Sequence, residues 1–418
     1  MNRMADVFLS ERSITLSVSF AGGQMTTMKI NGQRLCSGLL ELGQIGFQKG
    51  QGTSRPAYSE AFFAGRDWVS RKMEQAGLKT AVDAVGNLTG RLPGSSGRII
   101  AVGSHIDTVP NGGMYDGAYG VLAGIEAVQT LRENGYTPRD TIEIIAFNEE
   151  EGNVVGGTFG SKAFAGQPQE AEALERAASL GIRPEGIRAS RRDGRDYRCY
   201  LELHIEQGGI LEREQTPAGI VDGIVGIARY QVTVTGEANH AGSTPMDLRD
   251  DALRHACRLI ERMAVISGET DREMTCTVGT ISVEPGAVNV VPGRAEFPIE
   301  LRSLHMDHIE RAISRFRAEA VRPGVTVERF LSQDPTAMDP ALGRVLEDAC
   351  RSCGLPFRHM PSGAGHDAIN MALMTPTAML FIPSAGGISH NIREYSRPAD
   401  LAAGAQVLLE ALTALENQ

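Results

Sequence analysis

The residues of this chain that could carry chemistry stand on both sides of a block that reads as a folding unit of its own. Ser104-His105-Ile106-Asp107, Asp116-Gly117, the triplet Glu149-Glu150-Glu151 and His204 precede it, and His390 follows it. Within residues 226–331 the periodicity predicts a strand over 230–235, a helix over 247–264, strands over 275–283 and 295–301, a helix over 307–319 and a strand over 325–331. That order is the split βαβ pattern of a ferredoxin-like module. If His390 is to meet the earlier residues, the segments outside the block must fold together around it. The expected organisation is an α/β catalytic domain built from residues 28–217 and 332–418, an inserted α+β domain over 218–331, and a disordered tail over 1–27.

The outer segments alternate strands and helices. A strand over 98–102 leads into His105, a helix covers 118–132, and a buried strand over 141–147 ends on the acidic triplet. A strand over 199–205 carries His204, and one over 378–382 feeds the loop bearing His390. Each candidate thus lies at or just after a strand end, the edge of an open α/β sheet where crevices form. The set is what a two-metal hydrolytic site needs. Two divalent ions about 3.5–4 Å apart require a carboxylate that bridges both and imidazole or carboxylate groups that cap each one. The stretch 166–198 reads as one or two surface helices without chemistry.

Composition narrows the partners. The 418 residues exceed what one hydrophobic core usually organises, so two domains are expected. A net charge of −10 without any basic run argues against a nucleic-acid or membrane surface, leaving a small molecule as the expected partner. No apolar stretch approaches the length of a membrane span. The six cysteines follow no framework spacing, as expected of reduced thiols in a cytoplasmic protein. Cys350 and Cys353 have CxxC spacing but no second pair, and read as thiols of a helix rather than a zinc knuckle. The short apolar run over 14–20 lacks a basic flank and a cleavage signature, so no signal peptide is expected, and Met25 and Met28 are alternative starts. His255, His305, His308 and His359 match no pattern.

The strings GSHIDTVPNGGMYDG, NEEEG, ELHIEQG, ANHAGSTPM, VNVVPG, SGAGHDA and GISHN occur in this order from the first third of the chain to near its end. In them the chain resembles the amidase, hydantoinase and carbamoylase branch of the M20 metallopeptidase clan, which holds allantoate amidohydrolases, N-carbamoyl-L-amino-acid hydrolases and β-ureidopropionases. The resemblance implies a zinc-peptidase-like catalytic domain, an inserted lid or dimerisation domain, a homodimer formed through that insert, and two divalent ions per subunit, zinc or manganese with cobalt or nickel as alternatives. His105, Asp116 and His204 would hold one ion, and Asp116, Glu151 and His390 the other, with Asp116 as the bridge. Glu150 would be the general base that takes a proton from water and returns it to the departing nitrogen. Asp107 resembles the carboxylate that fixes a ligating imidazole's tautomer. Within the triplet the assignment follows Glu151, because Gly152 comes directly after it; Glu149 is the alternative base.

The same resemblance marks Gln207 as a partner for a ureido or amide group. It places His240, Asn289 and Arg302 of the insert across a domain cleft, often from the partner subunit. An imidazole and a carboxamide can steady a developing oxyanion, and Arg302 offers a planar fork for a substrate carboxylate. His366 is expected to shape the pocket through a hydrogen bond with Asp367. The implied reaction is cleavage of a linear C–N bond in an N-carbamoyl amino acid, releasing amino acid, carbon dioxide and ammonia; allantoate hydrolysis, and N-acyl or peptide hydrolysis, are the alternatives. The Ser-Arg-Phe that commonly follows the Gly of the acidic motif is replaced here by Asn153, Val154 and Val155, which favours a less elaborated, more apolar substrate. A non-catalytic binding protein on the same fold should show damage at the base or the bridge, and both are intact.

Overall fold

The computed structural model describes residues 28–417. The expected tail, 1–27, lies outside the described residues. Four strands form the parallel centre of a nine-stranded sheet, in the order Thr141–Phe147, Ile99–His105, Tyr197–Ile205, Thr377–Ile382. Leu88–Leu92 and Lys79–Val82 extend one side, and Ala218–Ile224, Thr336–Ala337 and Phe357–Ser362 the other. Every residue of Ile99–His105 is buried, as expected of a parallel strand covered on both faces. Alternate residues serve two cores. Ile100, Val102, Leu201 and Leu203 pack with the helices Gly32–Gln44, Ala118–Glu133, Pro340–Ser352 and Pro398–Glu416. Ala101, Phe147, Tyr200 and Phe381 pack with the short helices Phe159–Phe164 and Ala368–Ala372. Helix Ala118–Glu133 approaches the sheet closely enough that a Cβ at Gly120 would lie 2.2 Å from the Leu203 carbonyl oxygen.

The insert has its own antiparallel sheet, ordered Thr275–Thr277, Arg294–Ser303, Gly226–Thr235, Val325–Gln333, with Ser282–Glu284 also beside Arg294–Ser303. Helices Ala252–Thr270 and Met306–Glu319 cover one face, the second helix setting Ile313 and Phe316 in the same core as Val232, Phe297 and Ile299. The predicted strand 275–283 is therefore two short strands. The first helix starts at Ala252 rather than 247, because the Asp251 side chain accepts from the Arg254 N–H and caps it there.

The boundary expected at residue 218 is displaced. Strand Ala218–Ile224 belongs to the large sheet, and only Val225 separates it from Gly226–Thr235 of the insert. On the return path Gln333 pairs with Ile227, and Thr336 pairs with Ile224. The insert thus runs from residue 226 to 333, and its two connections lie side by side. Two apolar strands with a single residue between them give no turn signal, which is why the pattern alone misplaced the edge.

Helices Ala171–Ser179 and Pro184–Ser190 occupy the stretch read as surface helices. All six cysteines are unpaired, with Cys350 buried in helix Pro340–Ser352. Among the described residues no helix is long and apolar enough to cross a membrane.

Candidate metal centre

Two neighbouring parallel strands deliver two imidazoles to the carboxyl edge of the sheet. His105 ends its strand in register with Phe147, and His204 lies in register with Phe381. Their Nδ1 atoms are 3.0 Å from the Asp107 carbonyl oxygen and 2.9 Å from the Ile205 carbonyl oxygen. An Nδ1–H that donates to a carbonyl leaves the Nε2 lone pair for an electrophile. Both Nε2 atoms face Asp116 Oδ1, at 3.6 Å and 3.2 Å. The other oxygen of the same carboxylate, Oδ2, is 3.1 Å from His390 Nε2, which in turn lies 3.5 Å from Glu151 Oε2. Asp116 thus divides its oxygens between two groups, His105/Asp116/His204 and Asp116/Glu151/His390, in each of which the candidate ligand atoms lie within 4.8 Å of one another. Behind them Gly117 turns at φ 61°, and a Cβ there would lie 2.4 Å from His105 Nε2.

The charge balance invites a cation. Burial drives Glu150 well above the ordinary carboxylate range, although the His105 charge opposes it. Burial likewise raises Glu151 to about 7, with His105 opposing and the Asp116 charge adding to the effect. Carboxylates held out of water at this density are costly as anions unless a positive charge joins them. Imidazole nitrogens with carboxylate oxygens are a donor set for zinc, manganese or a similar divalent ion, so the residues present fit the expected metal.

The acidic triplet is sorted by its surroundings. Glu149, in a left-handed conformation at φ 60°, turns its Oε1 to the backbone N–H groups of Val154, Val155 and Gly156 and shapes the following loop. Glu150 lies 3.7 Å from His105 Nε2 and lines the cleft; Glu151 faces His390. Asp107 meets His105 with two groups. Its peptide carbonyl is the nearer partner of His105 Nδ1, at 3.0 Å; its carboxylate stands 3.7 Å from the same nitrogen and accepts the N–H groups of Glu150 and Glu151 at 3.3 and 3.2 Å. The expectation for His366 is corrected: Ser362 Oγ, not Asp367, lies 2.9 Å from its Nε2. Its ring meets that of His204 edge-on at 4.6 Å. Burial, reinforced by the His204 charge, holds its proton affinity well below that of a free imidazole.

Both sides of the chain face a cleft of about 780 Å³, lined by Glu150, Glu151, Gln207 and His390 below and by Ile227 and Arg302 of the insert above. Gln207 Nε2 donates to Asp116 Oδ2 at 2.9 Å. Arg302 is held by Glu300 Oε1 at 2.8 Å and by the Gly363 carbonyl at 2.7 Å. His240 and Asn289 are not brought to this cleft within one chain. They lie exposed beside each other on a two-stranded ribbon, Asn239–His240 against Val290–Val291, where Ala241 N–H donates to the Asn289 carbonyl. The apolar lining does not come from the replaced acidic-loop residues, since Val155 is buried in a separate cluster with Val85 and Phe159. It comes from Ile224, Val225, Ile227 and Ile369.

Three residues escaped the sequence reading. Arg55 is fully buried and donates to the carbonyls of Ile106, Leu42 and Ile45, fastening the turn after His105. Lys162 is half-buried and lines the cleft. Glu394 accepts the N–H groups of Tyr115 and Asp116. The first two carry no motif signal; Glu394 follows the GISHN string by only a few residues.

Residues 101–414 match the model of peptidase family M20/M25/M40. The chain belongs to that family. It is 38% identical to an N-carbamoyl-L-amino acid amidohydrolase of Geobacillus stearothermophilus over 91% of this chain and 97% of that one. It is 36% identical to an allantoate amidohydrolase of Bacillus subtilis over 89% and 94%. A solved hydantoinase/carbamoylase-family amidase of Burkholderia multivorans superposes with a TM-score of 0.85 at 33% identity, covering 94% of this chain and 99% of the other. This M20 protein is a hydrolase acting on linear amides.

Proposed function

We propose that the protein is a homodimeric, cytoplasmic amidohydrolase with two divalent ions per subunit, cleaving the ureido C–N bond of an N-carbamoyl amino acid to amino acid, carbon dioxide and ammonia. The observation that carries the reading is the carboxylate of Asp116 shared between two imidazole groups beneath a cleft that has Arg302 on its far side. Bound there, the ions would polarise the scissile carbonyl and bring the pKa of water to about 7. Glu150 stands at the floor of the cleft, where a carboxylate with raised proton affinity takes a proton and returns it to the leaving nitrogen. Arg302 keeps its guanidinium at the cleft wall and pairs with the substrate carboxylate. Gln207 meets the ureido group, and the exposed ribbon carrying His240 and Asn289 serves the oxyanion from the neighbouring subunit.

Allantoate is the second reading. It is supported by the Bacillus relative and by Lys162, which supplies a second cation at the cleft for a more polar substrate. Assaying N-carbamoyl amino acids, allantoate, N-acetyl amino acids and dipeptides for ammonia and amine release, with added zinc, manganese or cobalt, decides among them. Fastest turnover of an N-carbamoyl amino acid is expected. A faster dipeptide replaces the carbamoylase reading with a peptidase, and faster allantoate replaces it with the diureido acid.

A further inference from the structure

The bridging carboxylate and the imidazole that shares its Oδ2 come from loops 274 residues apart, and the link between those loops is a side chain that neither motif contains. Glu394 is only 5% exposed. Its Oε1 accepts the N–H groups of Tyr115 at 2.9 Å and Asp116 at 3.2 Å. Its Oε2 lies 2.7 Å from Ser389 Oγ, next to His390 in the chain. The same hydroxyl is 3.2 Å from Asp116 Oδ2. Gly113 leaves room for this packing, since a Cβ there would sit 2.0 Å from Glu394 Oε1.

A serine hydroxyl has one proton and two candidate acceptors here. The nearer is Glu394 Oε2. With the proton on that hydrogen bond, the hydroxyl adds no further donor to Asp116 Oδ2, the oxygen that already accepts from Gln207 Nε2 and faces His390. We propose that Glu394 is a positioning residue for the second metal: it fastens the Asp116 loop to the His390 loop and draws the Ser389 proton away from the bridging oxygen. The proposal rests on the two-ion reading given above and deepens it.

Glu394→Gln keeps an amide oxygen to accept both backbone N–H groups, but turns an NH₂ toward Ser389. That NH₂ donates to the hydroxyl oxygen and redirects the hydroxyl proton onto Asp116 Oδ2. The experiment is zinc content after gel filtration and zinc titration of the metal-stripped protein, with thermal unfolding of the stripped form as the control for folding. The parent is expected to hold two ions and Glu394→Gln one. The second ion should return only at about tenfold or more higher free zinc, the usual scale for losing a residue that supports a ligand. Adding Ser389→Ala to Glu394→Gln removes the misdirected proton and should restore the second ion, a rescue that a merely structural role would not produce. Glu394→Asp, too short to span both loops, should also lose the second ion preferentially. Two tightly held ions in Glu394→Gln, equal loss of both, or no rescue by Ser389→Ala overturns the proposal alone. Fewer than two ions in the parent overturns the two-ion reading and takes this proposal with it.

Discussion

The two larger sheets of the described residues are built on opposite principles. In the large sheet, Ile99–His105 is buried at all its positions and Thr377–Ile382 likewise, because helices and loops cover both faces. In the insert, Gly226–Thr235 and Arg294–Ser303 alternate buried and half-exposed residues along nearly their whole length. A strand covered on both sides holds the residues at its end in a fixed place, which suits ligands whose separation must be set to a fraction of an ångström. A sheet covered on one side keeps a free face. The first sheet holds His105 and His204, buried at its strand ends; the second gives the cleft Arg302 near a strand end and leaves His240 and Asn289 outside. On the proposed function, the difference separates chemistry from recognition.

That separation can be broken most directly at the rigid sheet. Asp116→Ala should abolish turnover and strip both ions, because its oxygens face both imidazole groups; retention of metal by this variant would sink the bridging assignment. Glu150→Gln should keep both ions and lower kcat by about 10²–10⁴. If it stays near the parental rate, the base assignment is wrong, and Glu149 is a poor substitute because its carboxylate is committed to the loop after it.

Variants in the insert should have smaller and different effects. His240→Ala should lower kcat by about 10²-fold, the loss typical of one oxyanion donor, with little change in KM. Mixing the Glu150→Gln and His240→Ala proteins sharpens the point: activity restored in mixed dimers means His240 serves the neighbouring subunit, and no restoration despite verified subunit exchange excludes it. Arg302→Ala should chiefly raise KM for carboxylate substrates, since a charge-assisted anchor acts in ground and transition states alike. The smallest effect on the metal centre should come from Phe297→Ala. Emptying that fully buried site costs the insert about 3–5 kcal/mol, yet metal content should hold if the two cores are independent. Loss of metal in that variant would join the two regions into one cooperative unit.

Much of this was legible in the sequence because the candidate ligands sit where hydrophobic runs stop, and a run that ends on His105 or before Glu149 reports its own strand edge. The insert was legible from its alternating periodicity. What was not legible depends on backbone groups and distant loops. No pattern of side chains says that the carbonyl of Asp107 meets His105 more closely than its carboxylate does, or that Glu149 is consumed by three peptide N–H groups. The reach from Glu394 to Asp116 crosses 278 residues, and His366 found a serine four residues back where a neighbouring aspartate was expected. Ala218–Ile224 has the composition of either sheet, so its membership is set by the strands beside it.

The direct pairing of Ile224 with Thr336 makes the insert a cassette. Where a cassette's ends meet as neighbours in one antiparallel ladder, excising everything between them leaves a hairpin waiting to be closed, and a two-residue Asn-Gly turn is the standard closure. Joining Ile224 to Thr336 in this way would yield a trimmed protein built on the large sheet that retains all five candidate ligands and gives up Arg302, His240 and Asn289 at a stroke. Such a miniature would load metal with its floor open to solvent, and the same junction would accept a foreign module in place of the native one.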